Sequence, residues 1–360
     1  MKTTTVAVLG EARQQRAPWL FLAAFASTWL LDTDASVRNV DLWIDGVRGA
    51  GQAIILLAPL AAFAGVWTGA RPRDTGTWEF EDSSLRGRVV PTLRPLLIAF
   101  LTIGAGFALA VVVRWAQLAV GSTGTAGLWS LAAPAQTMLW IATWVSIGGV
   151  LGSVGRFRLI AAPALALVAW SWPVVASSFS TDLAGLTPNI WDIWQPQGTW
   201  DPAAIVTSLL WSVAVTGSAT LAVILRADRS LKAGVGLATA LLVATVFGVR
   251  AAEPGSWRPI ADAGVGGGTS VNLVCQTTSE AIRVCVHEAY EGVLDDLIAG
   301  LEPALREADP EVTTVRLDAG PGQVAIRASD TTVTAGLSIV DSRVVVDDFL
   351  LESLARAVEG

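Results

Sequence analysis

Long apolar runs separated by short polar segments extend from about residue 18 to residue 249. Most of these runs have the roughly 20 residues that a helix needs to cross a hydrocarbon core of about 30 Å. From Arg250 onward the pattern changes to the short alternations and helical periodicity of a water-soluble fold. The pattern predicts a transmembrane domain over 1–249, a Pro- and Gly-rich linker over 250–268 and a small α+β domain over 269–360.

Seven of the apolar runs are predicted to be transmembrane helices, which gives an α-helical polytopic membrane protein. They cover residues 17–31, 51–69, 95–113, 128–154, 159–177, 203–225 and 233–249. The first run is the shortest, and a secretory signal peptide would explain its length. No small-residue cleavage site follows it, which favours a retained helix.

Lys and Arg residues are distributed unevenly between the two sets of loops. Thirteen lie in one set, namely Lys2, Arg13, Arg16, Arg71, Arg73, Arg86, Arg88, Arg94, Arg156, Arg158, Arg226, Arg229 and Lys232. The alternate set has only Arg38, Arg48 and Arg114. Because basic loops stay in the cytoplasm, we expect a plasma-membrane protein with a cytoplasmic N-terminus. An odd number of spans then places the C-terminal domain outside the cell.

The loop of residues 70–94 is the longest cytoplasmic connection after the N-terminal segment. Trp78, Phe80 and Leu85 stand there among charged residues. The spacing favours either a short amphipathic helix beneath the membrane or a solvated loop with interfacial anchors. Both interpretations place this loop at the cytoplasmic surface.

The C-terminal domain is predicted to mix strands and helices. Strands are expected over 271–275, 282–286, 312–317, 323–328 and 332–340, and helices over 288–308 and 349–358. This is the α+β part of the predicted fold.

Composition supports the division into two parts. Hydrophobic residues make up 52% of the 360 residues and charged residues only 15%, against about a quarter in a typical soluble domain. Sixteen Trp against one Tyr is consistent with the interfacial preference of indole rings. Residues 250–360 contain 18 acidic and 8 basic side chains. The chain therefore offers no basic face for nucleic acid.

Ionisable residues are missing from the middles of the seven predicted spans. Ion-coupled transporters and intramembrane proteases usually need such residues. The P-loop pattern is also missing, and the only lysines are Lys2 and Lys232. The glycine run at 264–268 precedes a strand, which favours a linker over a dinucleotide loop. We expect no nucleotide site and no cofactor in this chain, so any energy for transport comes from another subunit.

The stretch CQTTSEAIRVCVHEAY, residues 275–290, contains both cysteines, the only histidine and the only tyrosine. His287 and Glu288 begin like the zinc motif H-E-x-x-H, but Glu291 stands where the second histidine belongs. A zinc site cannot be assembled from one histidine by the usual pattern. We therefore expect no catalytic or metal-binding residue, with His287 and Tyr290 fastening the following helix.

Cys275 and Cys285 are ten residues apart on two predicted antiparallel strands. Disulfides persist in the oxidising compartment to which the topology assigns this domain. Closing so short a loop stabilises a fold by about 3 kcal/mol in the chain-entropy model. A disulfide between the two is predicted.

The motif V-C-V-H-x-A-Y at 284–290, ten residues after an earlier cysteine and ahead of a Leu-rich helix, resembles a group of actinobacterial membrane proteins. Those proteins are similar to permease subunits of type-2 ABC transporters with an extracellular C-terminal domain. Their motif usually has proline after the histidine, where this chain has Glu288. The resemblance implies a separate cytoplasmic ABC ATPase, which would dock on the loop carrying Trp78, Phe80, Leu85, Arg86 and Arg88.

Two functions follow from these patterns. The first is a permease subunit of an ABC-type exporter, paired with itself or with a second permease, that moves a hydrophobic or amphipathic substrate such as a peptide or lipid. The second is a non-transporting receptor or scaffold whose extracellular domain binds a ligand or partner protein. An enzyme ranks third because no catalytic motif is present.

Overall fold

The structure is a computed structural model. The described residues are 17–32, 43–74, 89–121, 131–154, 158–179, 186–187, 202–228, 230–252, 273–287, 294–306, 311–319, 326–329, 331–336, 338–340, 343–345 and 348–358. The loop at 70–94 is described only at its two ends, and most of the predicted linker falls outside these ranges.

Eight helices are described in the N-terminal part of the chain. They are α1 (Ala17–Asp32), α2 (Trp43–Gln52), α3 (Ile54–Asp74), α4 (Val89–Gly121), α5 (Ala132–Val154), α6 (Arg158–Phe179), α7 (Pro202–Asp228) and α8 (Leu231–Ala251). Helix α2 continues into α3 through a single turn residue, Ala53. The predicted helical bundle is therefore confirmed as an architecture.

Six of these helical stretches are long and apolar enough to cross a membrane. They are Gly49–Arg71, Val89–Ala119, Ala132–Val154, Arg158–Val175, Ile205–Asp228 and Leu231–Ala251. Their length and composition indicate a membrane-embedded protein. Helix α1 is apolar but has only 16 residues. The seventh span therefore stays a prediction.

Helices α3 and α5 approach each other along a row of glycines. Gly65 and Gly69 on α3 face Gly148, Gly149 and Gly152 on α5. A methyl group on Gly148 would lie 2.5 Å from the Ala62 carbonyl oxygen and 2.9 Å from Gly65 Cα, so the backbones themselves are in contact. Small residues four apart give this close packing in membrane helices, where lipid removes the hydrophobic advantage of burying larger side chains.

Helix α1 packs against α4 in a similar way. Gly106, near the middle of α4, lies against the Phe21 carbonyl oxygen of α1. A Cβ atom added to Gly106 would be 3.1 Å from the Cβ of Ala24. Ala24 is fully buried at the centre of α1. The middle of α1 therefore meets the middle of α4.

Helices α7 and α8 form a hairpin at the edge of the bundle. Ser230 caps α8 by accepting a hydrogen bond from the Ala233 amide at 3.2 Å. Along α8 only Ala233, Ala244 and Ala251 are buried. Most of the α8 surface is exposed and apolar, as expected of a helix that faces lipid.

The C-terminal domain contains a five-stranded sheet with two helices. Its elements are β1 (Leu273–Thr277), β2 (Arg283–His287), α9 (Leu294–Leu305), β3 (Thr314–Ala319), β4 (Ile326–Ser329), β5 (Thr332–Gly336), β6 (Ser338–Val340), β7 (Arg343–Val345) and α10 (Asp348–Val358). The sheet order is β1-β2-β3-β5-β4, and β6 pairs with β7 separately. The predicted strand at 332–340 is thus divided between two sheets.

The core of this domain lies on one face of the mixed sheet. The pairs β1–β2 and β4–β5 are antiparallel, whereas β2–β3 and β3–β5 are parallel. Val284, Val315 and Val333 are in register on three adjacent strands and are fully buried. Leu301 of α9 and Leu354 of α10 belong to the same apolar cluster. The helices therefore bury this face of the sheet.

Cys275 and Cys285 lie directly opposite each other on β1 and β2. Their Cα atoms are 4.1 Å apart, and the sulfur atoms are joined in a disulfide. The structure agrees with the predicted pairing. The disulfide joins the two strands of the hairpin at the middle pair of their register.

The turn of this hairpin is fastened to α9. Ser279 Oγ donates to Glu302 Oε1 at 2.9 Å, and Arg306 contacts the same oxygen at 3.2 Å. The hydrogen bond from Ser279, followed by Arg306, lowers the pKa of Glu302. Ala281 adopts φ 61° in the turn. A left-handed alanine is strained, so the turn depends on these neighbouring contacts.

We expect Gly148→Ala to destabilise the bundle by about 1–3 kcal/mol, because the added methyl group forces two backbones apart. The matched control is Gly217→Ala on α7, where an added Cβ has no neighbour within 4 Å. Thermal unfolding in detergent should show a lower midpoint for Gly148→Ala and an equal or higher one for Gly217→Ala. Equal midpoints for wild type and Gly148→Ala would contradict the proposed packing.

Thiol counting tests the disulfide, since the chain has only two cysteines. Denatured protein should have no alkylatable thiol before reduction and two afterwards. Replacing Cys275 and Cys285 with serine should destabilise the C-terminal domain by about 3 kcal/mol. Two reactive thiols before reduction would rule the disulfide out.

Candidate functional site

The two ends of the helix bundle are distinguished by the residues that pack there. At one end Trp115 of α4 packs against an apolar cluster of Val47, Ala132, Ala133, Ile205 and Ala251. We call this the Trp115 end; α5 and α7 begin there and α8 ends there. At the opposite, Arg158 end, the guanidinium of Arg158 lies 4.5 Å from the ring centroid of Trp67.

A row of polar side chains joins α5 to α7. This polar seam consists of Gln136, Trp140 and Thr143 on α5 and Ser208, Ser212 and Thr216 on α7. The spacings of three and four residues place each set on one face of its helix. The two faces meet, so the seam follows from the helical periodicity of both segments.

Hydrogen bonds cross the seam at each level. Gln136 Nε2 donates to Ser208 Oγ and, at 3.2 Å, to Ser212 Oγ. Trp140 Nε1 also donates to Ser212 Oγ at 3.2 Å. Deeper in the bundle, the hydroxyl oxygens of Thr143 and Thr216 are 2.9 Å apart. Buried polar groups in a membrane need such partners because no water is available.

The seam is buried except at Thr216, which is partly exposed, and it extends from the Trp115 end towards the middle of the bundle. Gln136 has no exposed surface, and Ser212 and Thr143 are 1% exposed. Thr143 lies 11 residues from the start of α5, which is about 16 Å along the helix. The seam thus occupies roughly half the depth of a membrane span.

The seam holds hydroxyl, amide and indole groups and no ionisable side chain. It can therefore recognise or exchange hydrogen bonds without carrying protons or ions. Hydrogen bonds between membrane helices contribute on average about 0.6 kcal/mol each. Contacts of this kind can be broken and replaced more readily than the backbone packing of α3 on α5.

An apolar cavity lies beside a neighbouring face of α7. It has a volume of about 510 Å³ between α7 and α8 and is lined by Leu186, Trp211, Val215, Ser218, Leu241, Ala244, Thr245, Gly248, Val249 and Ala252. This volume falls within the range of roughly 300–1,000 Å³ that is typical of ligand pockets. The lining is almost entirely apolar, which favours a hydrocarbon occupant.

Trp211 forms one wall of this cavity. An ideal Cβ on Gly248 would be 2.8 Å from the indole ring, so only glycine leaves room for it. The indole Nε1 donates to the Leu186 carbonyl oxygen at 3.1 Å. Trp211 and Ser212 are adjacent in sequence, so α7 presents the cavity on one face and the seam on another.

The residues singled out from the sequence are only partly within the described chain. Trp78, Phe80, Leu85, Arg86 and Arg88, the expected docking loop, lie outside the described residues, as does Tyr290.

The two cysteines are paired as predicted, and His287 is described by its backbone, as the last residue of β2 opposite Leu273. Within the described residues no group of three or more His, Cys, Asp or Glu could hold a metal ion.

Sequence reasoning missed the seam because it searched the spans for charged groups. The signal was present as Gln136 and the series Ser208, Ser212 and Thr216, which recur at helical spacing inside apolar runs. Comparison with protein-family models, curated proteins and solved structures finds no match to this chain. The resemblance at 284–290 therefore stays a prediction.

Removing the Ser212 hydroxyl takes away the Ser212 hydrogen bond of Trp140 Nε1 and one of the two acceptors of Gln136 Nε2, so we expect Ser212→Ala to destabilise the bundle by about 1 kcal/mol. Ser218→Ala is the matched control, because Ser218 Oγ donates within its own helix, to Ala214 O at 2.8 Å. Reversible unfolding in mixed detergent measures both values. If the two variants lose the same stability, the seam does not hold α5 and α7 together.

Proposed function

We propose that this chain is the membrane-spanning permease subunit of an ABC-type export complex, energised by a separate ATPase. Its substrate is hydrophobic or amphipathic, such as a peptide or lipid. The observation that carries the proposal is the contrast between two interfaces in one bundle. Helices α3 and α5 are held by backbone contact, whereas α5 and α7 are held by exchangeable hydrogen bonds.

This contrast divides the bundle into a fixed part and a separable hairpin. Separating α3 from α5 would break the close packing of their glycines, and lipid could not restore those contacts. Separating α7 from α5 would expose Gln136, Ser212 and Thr216, whose hydrogen bonds a polar part of a substrate can replace. A path that opens along the seam suits a molecule with both polar and apolar portions.

The energy source is proposed to be external because the seam has no titratable group. The loop carrying Trp78, Phe80, Leu85, Arg86 and Arg88 is the proposed docking segment for the ATPase. A dimer, with a second copy or a sister permease, would supply the remaining wall of the path. The lipid bilayer surrounds the exposed face of α8.

The proposed topology has the N-terminus in the cytoplasm and the C-terminal domain outside the cell, across the plasma membrane. It requires α1 to be a seventh span. The contact of Ala24 with Gly106 supports this, because it places the centre of α1 beside the centre of a membrane-spanning helix. The disulfide of the C-terminal domain is consistent with an oxidising compartment.

A receptor or scaffold is the second candidate. The C-terminal domain favours it, since its hairpin is closed by a disulfide and its turn is tied to α9. Residues 250–360 have an excess of ten acidic side chains over basic ones. An acidic, rigid domain of this kind suits recognition of a basic ligand or partner.

Affinity purification of the intact protein from its own cells in mild detergent separates the two candidates. The permease should bring down a nucleotide-binding subunit. Trp78→Ala and Arg86→Ala should each reduce the amount of that subunit at least several-fold while leaving the yield of the chain unchanged. If no ATPase co-purifies and both variants behave like wild type, the transporter proposal is wrong and the receptor remains as the candidate function.

A reversible cross-link tests whether the seam opens. The double variant Thr143→Cys with Thr216→Cys should form a disulfide, because the two hydroxyl oxygens are 2.9 Å apart. In the purified complex, oxidation should abolish substrate-stimulated ATP hydrolysis, and reduction should restore it. Each single-cysteine variant and the wild type, treated identically, serve as controls. Full activity in the oxidised double variant would show that α5 and α7 stay together during transport.

A further inference from the structure

Helices α7 and α8 contact each other at both ends of their hairpin, and a large indole lies between them at one end. Near the connecting residue Ser230, an ideal Cβ on Gly236 would lie 3.6 Å from Leu221, which is ordinary packing distance. Towards the Trp115 end, the indole of Trp211 lies between the helices against Gly248. The cavity of about 510 Å³ lies at this end and is lined by Trp211 and Gly248. It is thus a built feature of the hairpin.

The polar side chains that line the cavity use their donors within the protein. Trp211 Nε1 donates to the Leu186 carbonyl oxygen at 3.1 Å. Ser218 Oγ donates to the Ala214 carbonyl at 2.8 Å, and Thr245 Oγ1 to the Leu241 carbonyl at 2.9 Å. A buried water needs two to four polar partners, so water gains little here. The occupant that the lining accepts is hydrocarbon.

The rim of the cavity faces the surface that the helices present to lipid. Leu241 and Val249 line the cavity and are also 52% and 61% exposed on α8. Bilayer acyl chains therefore lie directly beside the opening. Among the described residues that line the cavity, a polar head group would find no free donor, so it would stay outside.

We propose that this cavity binds one acyl chain of a membrane lipid, which enters sideways between α7 and α8. Recognition is by shape and apolar contact alone, so the lipid head group does not contribute. The site is independent of the proposed transport function, because its lining shares no residue with the seam and it needs no partner subunit.

Photolabelling of the intact chain in lipid nanodiscs tests the proposal. The probe is phosphatidylcholine with a diazirine on its acyl chain, and labelled residues are identified by mass spectrometry. Leu242 and Val246 provide a comparison at the same depth of the same helix, since they are 66% and 54% exposed and lie outside the cavity. Leu241 and Thr245 should be labelled several-fold more than these two. Labelling that simply follows exposure would overturn the proposal.

A cavity-filling variant provides the matched perturbation. Ala244→Phe places a ring in the cavity and should reduce labelling of Thr245 at least threefold, whereas Val246→Phe on the opposite face should not. Ser218→Leu fills the cavity from the α7 side. It replaces Ala244→Phe in this test if that variant does not fold, with the same expected loss of labelling at Thr245. Phosphatidylglycerol with the same chain should label the same residues equally. A change in the labelled residues with the head group would show that the site does not recognise the chain alone.

Discussion

The backbone contact of α3 with α5 is the constraint on which the helix bundle depends. In lipid, burying a large apolar side chain between helices gains little over leaving it in the bilayer, so association relies on close packing and hydrogen bonds. Gly65, Gly69, Gly148 and Gly152 bring the two backbones together along several turns. The neighbouring helices then pack around this pair, as shown by Leu96 of α4 against Gly149.

The contact of α5 with α7 is of a weaker kind, because it depends on side-chain hydrogen bonds, and the proposed function rests on that difference. The polar seam joins α7 to α5 through neutral side chains, and an apolar cavity lies between α7 and α8. Helix α7 therefore presents one surface that can exchange hydrogen bonds and another that accepts only hydrocarbon.

Much of the architecture could be predicted from the sequence. The apolar runs predicted the helices of the bundle. Two short runs joined by a turn predicted strands near β1 and β2, and alternation with Val and Thr content predicted the strand near β3. Cys275 and Cys285 could be paired in advance because a hairpin of that length brings its two strands together. Parallel pairing of β2 with β3 was not predicted, since it depends on the path of the chain through α9 and on the shared burial of Val284 and Val315.

The sequence by itself determined which segments are apolar enough to lie in a membrane, because hydropathy is a property of each residue and its near neighbours. Only the tertiary structure decided which glycines touch, which hydroxyls meet and where a cavity remains. Gln136 and Ser212 are 76 residues apart, and no sequence pattern around either residue predicts that the two are in contact. Their contact depends on the rotation and depth of two helices, which are set by packing throughout the bundle.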